Sequence, residues 1–200
     1  AAVAYVGLCV LLFFRQSAMV YFPTRDVLAT PSDIGLEFEN ISIPAKDGVR
    51  LAAWHVPCEG SCCTVLICHG NGGNIGDRLH VISLFHELGL NVLIFDYRGY
   101  GESSGKPSEK GTYEDAFAAW RYLAERRDTT AQKIIVCGRS LGGAVAAELA
   151  ARSEVDGLIL EAAFTSVPDI GARLYPWLPV RLLCRYRYDT LSKMGKIRVP

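Results

Sequence analysis

Four short runs, apolar almost throughout, constrain the fold before any other feature does: Thr64-Val65-Leu66-Ile67-Cys68, Val92-Leu93-Ile94-Phe95, Ile134-Ile135-Val136-Cys137 and Leu158-Ile159-Leu160. Runs of this length without alternation read as strands buried on both faces. Stretches of helical period separate them. Ile75, Leu79, Ile82 and Phe85 share one face, with Gly89 as the stop. A second helix is expected to open at a Thr112-x-x-Asp115 capping box and to carry Ala116, Trp120 and Leu123, and a third to cover 141–152. Strands alternating with amphipathic helices predict an α/β fold, a mostly parallel central sheet with helices on both faces. Ahead of it, residues 36–43 alternate apolar and polar, Lys46-Asp47-Gly48 turns the chain, and 49–56 returns. This is an N-terminal antiparallel hairpin.

Composition narrows the function. Lys+Arg 21 against Asp+Glu 21 leaves no net charge in 200 residues, so the electrostatic footprint of a nucleic-acid binder is missing. The seven cysteines (9, 58, 62, 63, 68, 137 and 184) include no C-x-x-C pair, and neither a zinc module nor a disulfide scaffold is expected. Cys68 and Cys137 end two of the buried strands and are expected to stay reduced, as small hydrophobes.

Residues 1–14 carry no charge, and apolar character resumes at 18–22 after Arg15-Gln16-Ser17. Fourteen helical residues reach only roughly 21 Å of the roughly 30 Å hydrocarbon layer. Residues 1–22 therefore read as a partial single-pass membrane anchor of undetermined orientation, or else as a buried core helix. Residues 23–200 form the remaining domain. The segment 165–199 is aromatic and basic, and reads equally as a lid or as a helical connection.

The strongest chemical signal is Gly138-Arg139-Ser140-Leu141-Gly142 with Gly143 following, placed between an apolar strand and a helix. A nucleophilic serine must stand on a sharp turn whose neighbours are small enough for strand and helix to meet closely. The helix N-terminus also favours the negative charge that develops when an acyl bond is attacked. His69-Gly70-Asn71-Gly72-Gly73-Asn74 is the second signal. As a dinucleotide loop it offers Gly70 and Gly72, but has Ile75 where the third glycine belongs; Asp96 mimics the ribose-binding acid. As an oxyanion loop it supplies the Asn71 backbone N–H opposite that of Leu141, the reading that Ser140 favours. His69 is expected to brace the loop and not to take the catalytic proton.

These two motifs, with Phe95-Asp96-Tyr97-Arg98-Gly99-Tyr100-Gly101-Glu102-Ser103 between them, resemble the Bem46-like branch of the α/β-hydrolase superfamily, from about Tyr21 to the last residue. The resemblance implies an α/β-hydrolase fold, a membrane-anchored serine hydrolase, and a Ser-Asp-His triad with Ser140 as nucleophile. It also implies that 96–105 is a structural loop beside the site. All four histidines (55, 69, 80 and 86) precede Ser140, whereas the superfamily runs Ser, acid, His. Lys196-Ile197-Arg198-Val199-Pro200 looks like the start of the strand that would precede the acid, and Glu161 reads as structural. The sequence is therefore expected to be a piece of such a hydrolase, clipped at both ends, with the final strands, acid and base beyond Pro200. The expected activity is cleavage of an ester, thioester or amide through an acyl-enzyme on Ser140, with Leu141 and Asn71 holding the oxyanion. The expected partners are a small-molecule or lipid-like acyl substrate and, through the anchor, a membrane; no cofactor, metal or nucleic acid is expected. The alternative is a non-catalytic, membrane-tethered interaction protein on the same scaffold.

Overall fold

The computed structural model describes residues 1–126 and 133–200. Helix α1 (Ala2–Val20) runs straight through Arg15-Gln16-Ser17 and leads into a two-residue strand, β1 (Phe22–Pro23). The hairpin follows as β2 (Glu39–Pro44) and β3 (Arg50–Val56), antiparallel, with Ile43 opposite Leu51. β4 (Cys63–Cys68), a short β5 (Gly72–Gly73), α2 (Leu79–Glu87) and β6 (Asn91–Phe95) come next. Then come α3 (Glu109–Glu125), β7 (Lys133–Arg139), α4 (Leu141–Ala150) and β8 (Gly157–Glu161). Three short helices end the chain: α5 (Val167–Leu174), α6 (Val180–Leu183) and α7 (Leu191–Met194).

The main sheet has the order β2-β3-β6-β4-β7-β8. The four apolar runs form its parallel part, β6-β4-β7-β8, and β3 joins β6 antiparallel. Period two sorts each strand between two cores. Leu66, Leu93 and Val136 face the side covered by α3 and α4, where Ala116, Ala144, Val145 and Leu149 are buried. Val65, Ile67, Val92, Ile94 and Cys137 face the other side, against Ile82 and Phe85 of α2. Each large aliphatic side chain so buried contributes about 1.5–3 kcal/mol. Cys68 and Cys137 lie on opposite faces of the sheet, and both are free thiols. At the far edge the Leu158 amide donates to the Pro200 carbonyl (2.9 Å), so the last residues lie alongside β8.

Two helix starts differ from expectation. α3 opens a turn before Thr112, at Ser108, whose hydroxyl accepts from the Gly111 amide (3.1 Å). Thr112 and Asp115 are buried inside the helix, because both have tertiary partners: the Tyr188 hydroxyl at 2.8 Å, and the backbone and guanidinium of Arg98 at 2.8–3.2 Å. The helix through Ile75 opens as a 3-10 turn (Ile75–Arg78), with Asn74 and Asp77 as a reciprocal capping box, before α2 begins. Gly89, at φ 79°, stops it as expected.

Candidate active site

Ser140 connects β7 to α4 with φ 53° and ψ −115°. An L-residue pays strain of order 1–3 kcal/mol there. The turn survives because the residues two positions before and after it, Gly138 and Gly142, have no side chains. A Cβ on Gly142 would collide with the backbone carbonyl of Cys68, and one on Gly138 would lie 2.6 Å from the Ala146 Cβ. The elbow is tied to the next strand by the Ser140 amide, which donates to the Glu161 carbonyl (3.0 Å). A serine at a helix N-terminus ordinarily turns its hydroxyl back onto the first turn. Ser140 makes no such cap, and its side chain faces an open groove.

That groove, of about 460 Å³, is lined by Gly70, Asn71, Gly72, Gly73, Asp77, Arg78, Arg139 and Ser140. Gly70 lies beside Ser140: a Cβ on it would be in ordinary contact, 3.9 Å, with that of Ser140. The Leu141 amide is the first of α4 and has no intrahelical acceptor. Of the three residues expected from sequence, Ser140 and Asn71 line this groove, whereas Leu141 is buried beside Ser140 and is not among its lining residues.

Asn71 is held by contacts that sequence patterns do not give, one of them from the 96–105 loop expected beside the site. Its carbonyl accepts from the Phe22 amide and from the Tyr100 hydroxyl, both at 2.9 Å. Its side-chain amide donates to the Val20 carbonyl (3.0 Å). β1 and β5 pair in parallel, Phe22 opposite Gly72, and the Arg78 guanidinium donates to the Gly72 carbonyl. The chain leaving α1 is thus part of the loop's framework, whereas the sequence reads Val20 and Phe22 as the end of the apolar N-terminal segment.

His69 is fully buried against Tyr97 and Tyr100, its Nδ1 on the Gly70 carbonyl (2.7 Å) and its Nε2 3.4 Å from Asp96 Oδ1. The ring braces the loop. Asp96 is also wholly buried, accepts from the Ile75 amide (3.0 Å) and is closely approached by Gly101, so it cannot meet a ribose hydroxyl. The dinucleotide reading fails on that geometry. Glu161 lies on the surface 3.5 Å from Arg139. Among the described residues no histidine lines the groove: His55 is beside Glu39, and His86 is on the Pro57 carbonyl. Among the described residues no group of three His, Cys, Asp or Glu side chains is arranged to hold a metal.

Residues 64–189 match the family model described as the alpha/beta hydrolase fold. The chain belongs to the α/β-hydrolase family. It is 38% identical over 198 residues to protein bem46 of Schizosaccharomyces pombe, covering 94% of this chain and 66% of that one. An uncharacterized membrane protein of Saccharomyces cerevisiae is 36% identical over 193 residues, covering 92% and 68%. Within the family the chain falls in the Bem46-like branch. Among solved structures, an esterase of Pyrococcus furiosus superposes with a TM-score of 0.73 at 25% identity, covering 90% of this chain and 74% of its own.

Proposed function

We propose that this hydrolase cleaves an acyl bond (ester, thioester or amide) by nucleophilic catalysis at Ser140. The observation that carries the reading is the Ser140 hydroxyl itself, held on a strained turn, unused as a helix cap and facing the groove that Asn71 also lines. In the first step the Ser140 oxygen bonds to the acyl carbon, a base takes the hydroxyl proton, and the alcohol, thiol or amine leaves with a proton. Water then releases the acid and restores the serine. The Leu141 and Asn71 amides hold the oxyanion in both steps. Because no imidazole among the described residues lines the groove, the reading places the acid and base of the triad beyond Pro200, and this segment alone is inactive on that account. The esterase likeness supports an ester.

The reading also makes α1 a membrane anchor, with 23–200 as the catalytic domain. Its 19 residues have a mean hydropathy of 1.7 and none is buried, and at 1.5 Å per residue they reach about 28 Å. One relative carries the name membrane protein.

The test is fluorophosphonate labelling of the full-length protein beside Ser140→Ala. Labelling of the wild type and none of the variant is expected. A folded wild type that takes no label favours a membrane-tethered binding module on the same scaffold.

A further inference from the structure

Helix α1 does not stand clear of the domain. The Tyr5 hydroxyl donates to the Trp177 carbonyl (2.8 Å), and the Arg185 guanidinium stacks over Phe13 at 5.4 Å. The Gln16 side chain donates to the Leu183 carbonyl (2.9 Å) and accepts from the Arg185 amide (2.7 Å). Tyr5 and Gln16 lie about 17 Å apart along a helix axis. The α5–α6 segment therefore runs beside α1 between Tyr5 and Gln16, and a bilayer that takes in the helix meets this segment.

The uncharged stretch of the segment suits that surrounding. Leu174-Tyr175-Pro176-Trp177-Leu178-Pro179-Val180 is uncharged and stands between Arg173 and Arg181. Leu174, Trp177 and Leu182 are 65%, 55% and 83% exposed, an apolar surface that water does not favour.

Between α1 and this segment runs a cleft of about 200 Å³, walled by Leu12, Phe13 and Val20 on one side and Ile170, Leu174 and Leu183 on the other. Gln16, the one amide in its wall, is already satisfied on both its polar atoms. An occupant gains no hydrogen bond from it, and of the other lining side chains only Tyr175 and Cys184 carry a polar atom, so the cleft favours an apolar occupant. Val20 of the cleft and Asn71 of the Ser140 groove are joined by one hydrogen bond, the Asn71 side-chain amide donating to the Val20 carbonyl (3.0 Å). We propose that this cleft binds one acyl chain drawn from the bilayer, with its carbonyl end directed past Val20 towards Asn71. As a statement about substrate it rests on Ser140 as nucleophile; as a statement about binding it rests only on α1 as the membrane anchor.

The experiment uses the full-length protein in phosphatidylcholine vesicles containing a diazirine-bearing hexadecanoic acid. Wild type and Ser140→Ala are photolysed and the labelled residues are mapped. Label is expected on both walls of the cleft in both proteins, displaced by excess hexadecanoic acid and lost in Ile170→Trp. Label scattered over Val3, Val6 and Val10 without displacement, or undiminished in Ile170→Trp, overturns the proposal. A second readout covers misfolding: the kcat/KM ratio of a dodecanoyl to an acetyl aryl ester. Filling the cleft is expected to lower that ratio about tenfold or more in Ile170→Trp, and Leu84→Trp, on the exposed face of α2, keeps the wild-type ratio. An unchanged ratio in Ile170→Trp counts against the cleft. Cleft labelling without any hydrolysis overturns the nucleophile and leaves the binding site standing.

Discussion

Ser140 holds a conformation that only glycine adopts without cost, and the account makes that cost part of the site. Ser140→Gly is expected to be more stable than Ser140→Ala by about 1 kcal/mol, with both inactive, as read by chemical denaturation and ester hydrolysis. Equal stability would remove the strain from the argument. Gly142→Ala behaves in the opposite way. Its new Cβ meets the backbone of Cys68, which cannot rotate aside, so a loss of about 3 kcal/mol or more is expected in the same denaturation measurement. The two interior thiols supply a third residue-scale expectation. Burial pushes Cys137 up to about 11 and Cys68 higher still, so little thiolate forms at neutral pH. Both should alkylate slowly in native protein and quickly in denaturant. Fast native reaction of either contradicts its placement inside the sheet.

Among elements, α4 and α7 are joined by Glu148, which lies 3.0 Å from both the Lys193 ammonium and the Arg152 guanidinium. Burial opposes the charge, but the hydrogen bonds from Arg152 and Lys193 prevail and hold the Glu148 carboxyl below its ordinary value. A carboxyl depressed on folding stabilises the protein above its unfolded pKa, near 4.5, and loses that contribution as pH falls through the folded value. Glu148→Gln should therefore cost about 0.5–1 kcal/mol at pH 7 and almost nothing near pH 3, measured by melting at both. A cost independent of pH would assign the effect to packing. The starts of elements were also where sequence reasoning failed. Thr112 and Asp115 have the spacing of a capping box, but tertiary bonds to Tyr188 and Arg98 hold them inside α3. Those partners are distant in the chain, and periodicity carries no trace of them. The four apolar strands were legible because burial on both faces leaves an uninterrupted run.

Across the whole molecule, legibility followed the range of the interaction. The elbow could be read from six adjacent residues, since glycines around a serine are a local steric demand. The clamp on Asn71 could not, because Val20, Phe22 and Tyr100 reach it from other segments. Nor did the packing of α1 against α5 and α6 show in the apolar pattern, which looks the same for a free anchor and a packed one. The central claim is covalent and has a covalent test. Full-length protein is mixed with a short-chain aryl ester, quenched in acid during turnover, digested with trypsin and weighed. The account predicts the acyl mass on peptide 140–152, which begins at Ser140. Turnover with that peptide unmodified, or with the acyl group on another residue, contradicts it.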